Sequence, residues 1–270
     1  RERKFAVGAS ITAPAIGSMA ILVLSNSVLM PLTSSWRWTI AIETLPIAIA
    51  LFFWVAISDV KIQKSQKPQK GESETLKIWK STIEPSEIKI IFFLGVAVFF
   101  LSHGLGGWMP ELLRENFGFS SMAASNWTAG SMGVGILVSL FLPPRTQRQN
   151  LFFVLSSVLL LILVSLISMI FIPSYMVPLS IMIGGSRSVL VPLVILALME
   201  SPKLNPKQMG TAYGLWFASA EVGGVLGPVV VGNTADTTFG YDGAIWLMAT
   251  VCLVMIFLAY ALRMRMEINN

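Results

Sequence analysis

The chain has 270 residues, of which 54% are hydrophobic and 12% are charged, and its formal net charge is +5. A soluble domain carries roughly 25% charged residues, so this composition excludes a soluble globular, a disordered and a fibrous protein. It leaves an integral membrane protein with several spans. Because the chain contains a single cysteine, Cys252, and a single histidine, His103, a disulfide framework and a Cys/His metal site are excluded. No metal, cofactor or nucleic-acid partner is expected.

Eight apolar segments are long enough to cross a bilayer as helices, which takes about 20 residues each. None of them alternates polar and apolar residues as barrel strands do. The predicted fold class is therefore all-α integral membrane, with the lipid bilayer as a partner. In chain order the predicted spans are residues 5–31, 38–58, 88–108, 122–142, 151–172, 175–198, 210–232 and 244–262.

The basic residues predict the orientation of these spans. Sixteen of the 19 lysines and arginines lie in connections on one side, whereas only Arg37 and Arg114 lie in the outer loops. Because basic loops stay in the cytoplasm, both termini are predicted to be cytoplasmic. The protein itself is predicted to lie in the cell membrane. Residues 109–121 are one of the short outer loops. The long loop at 59–87 is cytoplasmic, and residues 74–89 are predicted to form an amphipathic helix on the membrane surface.

Glycines recur at matching places in the first and seventh predicted spans. Gly8 and Gly214 are separated by the same number of residues as Gly17 and Gly223. This fits a parallel internal repeat, an organisation known in transporters, and small residues allow helices to pack closely. Packing or hinge roles are predicted for Gly8, Gly17, Gly104, Gly106, Gly107, Gly210, Gly214, Gly223, Gly227 and Pro228.

Several motifs in combination resemble the major facilitator superfamily. They are the basic residues 1–4 before a Gly-containing helix, the outer residues 36–38 (WRW), the Lys-rich loop, and residues 207–214, 223–228 and 236–240. The resemblance implies helices five to twelve of a twelve-helix transporter. Residues 1–58 are then the last two helices of the N-terminal bundle, 59–87 the central loop and 88–270 the six-helix C-terminal bundle. On this interpretation the chain is a fragment, and the four missing N-terminal helices are needed for function.

Residues 102–113 narrow the resemblance within that superfamily. Their Trp-Met-Pro and paired leucines are similar to the cyanate/nitroimidazole-type porters. The turn at 143–148 occupies the place of the family's loop between its eighth and ninth helices and keeps Arg145 and Arg148. It lacks the usual aspartate, so the family's gating pair is not carried over.

Three ionisable residues lie inside predicted spans, where a charge is costly and needs a functional or structural reason. Arg187 is predicted to bind an anionic substrate, with a structural pair to an acid as the alternative. Glu221, at a similar depth, could pair with Arg187, couple transport to protons, or face a helix interface while protonated. His103 could switch its charge near neutral pH or make an interhelical hydrogen bond. Asn126, Trp108, Tyr213 and Ser102 are further predicted cavity residues.

These residues predict a secondary transporter of a small solute. The expected substrate is an anion, moved by alternating access, with proton coupling as an option. The alternatives are a transporter-like receptor that binds without cycling and an exporter of drug-like or neutral solutes. An enzyme is not expected, because no nucleophile–base or metal-ligand constellation occurs in the sequence.

Overall fold

The computed structural model describes residues 14–57, 72–206 and 208–268. Within these residues every regular element is helical, which confirms the all-α class. Eight helices are long and apolar enough to cross a membrane, as predicted. These spans, numbered first to eighth below, are Pro14–Thr33, Trp36–Ile57, Ser86–Phe117, Ser121–Arg145, Arg148–Phe171, Pro173–Met199, Met209–Ala235 and Gly240–Met266. Gly8 and the N-terminal end of the first predicted span lie outside the described residues.

The third span continues well beyond its predicted end. The sequence predicted an outer loop at 109–121, but the helix continues through Pro110 to Phe117. That loop prediction was wrong for most of its length. The helix ends at Gly118, whose φ of 71° is left-handed, and the N–H of Phe119 donates to the Leu113 carbonyl at 3.2 Å. A glycine in this conformation is a common helix stop.

A short helix, Glu72–Ile83, precedes the third span. The predicted amphipathic helix at 74–89 was too long, because Pro85 has no N–H and disfavours helical geometry at the residue before it. Lys89 therefore belongs to the third span. Leu76 and Trp79, one turn apart, are 65% and 47% exposed, and the position of this helix on the membrane surface stays a prediction.

The third and seventh spans pack backbone against backbone. A Cβ added to Gly223 would overlap the backbone of Val96, and one added to Gly227 would overlap that of Phe100. Small residues four apart permit this close approach between membrane helices.

Two tryptophans join the same pair of spans in opposite directions. Trp216 of the seventh span is fully buried and donates to the Ile91 carbonyl at 3.2 Å. Trp108 of the third span donates to the Pro228 carbonyl at 2.8 Å. Each ring lies over a glycine of the other helix, Trp216 over Gly95 and Trp108 over Gly232. The fourth, sixth and eighth spans pack against this pair, and the fifth span packs against the sixth and eighth.

The first two spans lie at the edge of the described structure. In the second span only Thr39 is buried, and its tryptophans and phenylalanines are mostly exposed. Two serines of the first span make polar contacts with other spans. Ser27 donates to Asn126 of the fourth span at 2.9 Å, and Ser25 donates to Glu43 of the second span.

Substitution of the interface glycines tests the contact between the third and seventh spans. We expect Gly223→Ala and Gly227→Ala each to destabilise the folded protein by about 1–3 kcal/mol, the usual cost of overpacking. The measurement is Tm in detergent. Gly214→Ala, in the same span with no atom within 4 Å of its added Cβ, is the matched control. An equal loss of Tm in the control would contradict the assigned contact.

Candidate functional site

A cavity of about 630 Å³ lies between the first, third, fourth, sixth and seventh spans. Most of its wall comes from the first and third spans, and it includes three of the residues predicted to line a cavity or bind substrate, Arg187, His103 and Ser102. Its lining residues are Pro14, Ala15, Ser18, Ile21, Leu22, Ser25, Ser102, His103, Gly106, Gly107, Pro110, Met132, Arg187 and Pro228. A volume of this size accommodates a small solute.

Arg187 stands where the sixth span is interrupted. One helix, Met176–Arg187, ends at this residue, and a second, Leu190–Met199, begins three residues later. Pro192 explains the break, because it has no N–H to donate to the carbonyl of Ser188, four residues earlier. The Ser188 hydroxyl lies within hydrogen-bonding distance of two carbonyls, that of Gly185 in its own helix at 2.7 Å and that of Gly135 in the fourth span at 2.8 Å. Interrupted helices of this kind form the binding sites of many transporters.

The guanidinium of Arg187 reaches across to the third span. Its Nη1 donates to the Ser102 carbonyl and lies over Gly106, where an added Cβ would be 2.6 Å from that nitrogen. Among the described residues no carboxylate forms an ion pair with Arg187. The pair with Glu221, one of the three alternatives for that residue, is therefore not present in this structure.

Ser102 presents a second polar group beside the guanidinium. Its hydroxyl oxygen is buried and has no hydrogen-bond partner among the described residues. A buried hydroxyl without a partner is costly, and here it belongs to a residue that lines the cavity. The residue whose carbonyl holds the Arg187 guanidinium thus also has a buried hydroxyl without a described partner.

His103 and Glu221 are neighbours on facing helices. His103 Nδ1 and Glu221 Oε2 lie 3.1 Å and 3.0 Å from the position that a Cβ on Gly224 would take. His103 is exposed to the cavity and stacks on Phe99 with 5.2 Å between ring centroids, whereas Glu221 is half-buried behind it. Neither side chain has a hydrogen bond or ion pair to another described residue, so the interhelical hydrogen bond considered for His103 is not formed.

The other predicted cavity residues lie elsewhere. Asn126 accepts its hydrogen bond from Ser27 at the contact between the first and fourth spans. Trp108 lines a separate outer recess and packs against the seventh span. Tyr213 is 45% exposed and stacks with Phe217. None of these three side chains lines the cavity.

Sequence reasoning missed the contribution of the first and second spans. Ser18 and Ser25 line the cavity, and Ser25 donates to the Glu43 carboxylate of the second span. Around Ser25 the helix forms a π-turn at Ser25–Leu29, an irregularity frequent at functional sites. The polar run Ser25-Asn26-Ser27 inside an apolar span was the available signal.

The glycines predicted to pack helices divide into two groups. Gly104, Gly223 and Gly227 lie against atoms of neighbouring helices, and Gly106 lies against Arg187, so an added Cβ would meet close neighbours at each. The remaining described members, Gly17, Gly107, Gly210 and Gly214, have no such atom within 4 Å. The matched pair Gly17 and Gly223 therefore has different surroundings.

Comparison with known proteins identifies one family. A family model described as Major Facilitator Superfamily matches residues 1–205, well over half of the chain. The match ends before the motifs at 207–240, so it does not include them. A search of curated proteins gave no match.

Gly106→Ala tests how closely Arg187 lies against the third span. The added methyl would displace the guanidinium from the Ser102 carbonyl, so we expect a loss of about 1.5–3 kcal/mol, the range for a hydrogen bond to a charged group. In an Arg187→Ala background the same change should cost less than about 0.5 kcal/mol, because the conflict is gone. The measurement is Tm of the four proteins in detergent.

The control is Gly130→Ala in the fourth span, which has no atom within 4 Å of the added Cβ. Equal effects of Gly106→Ala in both backgrounds would show that Arg187 does not occupy this position.

Proposed function

Because the chain belongs to the Major Facilitator Superfamily, we propose that it transports a small anion, which binds to Arg187 in the central cavity. Members of this family are secondary transporters of small solutes, not enzymes. The anion, its binding residues and its coupling to protons are the parts of the function that we propose here. In this proposal residues 1–58 and 88–270 belong to two bundles that move relative to each other.

The proposal rests on the guanidinium of Arg187, a cation inside a membrane span. A charge inside a membrane is costly, and such residues usually pair with an acid or serve a substrate pathway. Here the structure has no ion pair for Arg187 among the described residues. The Ser102 carbonyl accepts one of its N–H groups, and a guanidinium has five. The remaining donors suit a planar or tetrahedral anion, which an arginine can bind through two parallel hydrogen bonds.

The surroundings of Arg187 favour an anion with oxygen acceptors. Ser102 offers a buried hydroxyl without a described partner, which can donate to the same ligand. Ser18 and Ser25 extend the polar wall on the first span, and Ile21, Leu22 and Met132 provide apolar surface. This combination suits a small carboxylate or oxyanion with a limited apolar part.

His103 and Glu221 are the proposed proton-coupling groups. His103 Nδ1 and Glu221 Oε2 each lie about 3 Å from the position that a Cβ on Gly224 would take, and an imidazole and a carboxyl group can both carry a proton. His103 reaches the cavity that also contains Arg187. Protonation on this side of the cavity would therefore add positive charge near a bound anion and favour its binding.

Arg187→Ala is the direct test of anion binding. In proteoliposomes containing the full-length protein, we expect the variant to lower anion uptake about 100-fold, because two hydrogen bonds to a charged group are lost. Arg187→Lys keeps the charge but not the planar fork and should retain part of the uptake. The assay covers a panel of small anions, cations and neutral solutes, with and without an inward proton gradient.

Arg145→Ala is the matched control. Arg145 lies over the Phe141 ring at 5.2 Å, outside the cavity, and its loss should leave uptake unchanged. Normal anion uptake by folded Arg187→Ala, or uptake confined to neutral or cationic solutes, would refute the anion proposal and favour an exporter of neutral solutes. Saturable binding without flux in the unchanged protein would favour a receptor.

Proton coupling is tested separately with His103→Gln and Glu221→Gln. Each removes a titratable group and keeps its approximate size, so we expect uptake no longer stimulated by the gradient, with exchange of anion across the membrane retained. Glu111→Gln makes the same chemical change outside the cavity, at a carboxylate that pairs with Arg114, and should leave the stimulation intact. Full stimulation in both test variants would exclude these two residues as the coupling groups.

A further inference from the structure

A second polar recess, of about 690 Å³, lies at one end of the bundle, away from the central cavity. It is formed where the fifth span begins and the eighth span ends. Its lining residues are Gln147, Arg148, Gln149, Phe152, Phe153, Arg263 and Met266. We propose that this recess binds the headgroup of an anionic phospholipid, with the first part of an acyl chain along Phe153. Nothing in the proposed transport reaction uses these residues.

The charge of the recess suits a phosphodiester. It has two guanidinium groups, of Arg148 and Arg263, and none of the described residues that line it is acidic. Both arginines also make interactions within the protein. An arginine has five donors and binds phosphate through two at once, so each can hold a protein contact and a phosphate oxygen together.

Two amides add neutral donors and acceptors beside this charge. Gln149 donates to Gln147 at 2.7 Å, and both lie in the turn that leads into the fifth span through Arg148–Asn150. The side-chain N–H and C=O groups of Gln147 and Gln149 that this hydrogen bond does not use can bond to the ester oxygens or to hydroxyls of a headgroup. The recess therefore has charged donors for the phosphate and neutral groups for its substituents.

The position of the recess selects a lipid over a free anion. Arg148 opens the fifth span and Arg263 is near the end of the eighth, so both are at the depth of lipid headgroups. Phe153, one turn further into the membrane, is 75% exposed and continues the recess as apolar surface. A bound molecule with a phosphate at the arginines and a chain along Phe153 has the shape of a phospholipid. Basic recesses between spans on the cytoplasmic side are suited to such headgroups.

Native mass spectrometry of the purified full-length protein tests this site. The protein is offered equal amounts of phosphatidylglycerol and phosphatidylcholine, and the ratio of the two adducts is measured. Each arginine near the membrane surface contributes about fivefold to anionic lipid binding, so Arg148→Gln/Arg263→Gln should lower the ratio about 25-fold. Should the double variant fail to fold, the two single variants decide, with about fivefold expected for each.

A matched double variant controls for charge alone. Arg145→Gln/Lys80→Gln removes two positive charges from the same predicted side. Arg145 is held over Phe141 by its hydrogen bond to the Phe141 carbonyl at 3.1 Å. Lys80 lies in the short helix Glu72–Ile83. Neither residue lines the recess. This control should keep the adduct ratio of the unchanged protein. An equal fall in both double variants would overturn the proposal, as would an unchanged ratio in the recess variant.

Two further measurements distinguish a bound phospholipid from a bound free phosphate. Phe153→Ala should lower the total of both lipid adducts and leave their ratio unchanged, because it removes apolar contact without altering charge. Inorganic phosphate and glycerol phosphate, added in large excess, should not displace phosphatidylglycerol. Displacement by either, or unchanged total adducts in Phe153→Ala, would show that the recess is not a phospholipid site.

Discussion

The backbone contact between the third and seventh spans fixes the separation of the two helices that carry Ser102, His103 and Glu221. Gly223 and Gly227 let the two helices approach until no side chain separates them, and Trp216 and Trp108 join them by reciprocal hydrogen bonds. Water is absent inside a bilayer, so association of apolar helices depends on such packing and on bonds between spans. Because the two helices are held at this separation, His103 and Glu221 face each other and Ser102 is presented to Arg187.

The sixth span contributes the cationic side chain of the cavity, Arg187. Its interruption after Arg187 frees backbone groups and places a long cationic side chain across the cavity, where the Ser102 carbonyl and Gly106 determine its position. The charge is thus oriented in advance by neutral groups. In the proposed function an entering anion does not have to displace a carboxylate, and its binding would offset the cost of keeping the cation in the membrane.

Much of this architecture could be predicted from hydropathy and charge. The eight spans follow from long apolar runs, and Arg187 and His103 stand out because ionisable residues are rare in such runs. The break at Ser188 and the length of the third span could not be predicted by counting apolar residues, because Pro192 interrupts a helix and Pro110 does not. Trp108 was predicted to line the cavity, but side-chain direction depends on the rotation of each helix. Periodicity alone does not determine that rotation when both lipid and protein faces are apolar.

The hydrogen bond between Ser27 and Asn126 has a consequence for motion. Among the described residues it is the one hydrogen bond that joins the first two spans to the other six, and a single neutral bond contributes about 0.5–1.5 kcal/mol. In the proposed alternating-access motion, this hydrogen-bonded link between the two groups of helices opposes their rearrangement only by that amount. A molecule bound between Ser25 and Arg187 contacts both groups. Its binding energy can therefore exceed that of the link and determine which arrangement is populated.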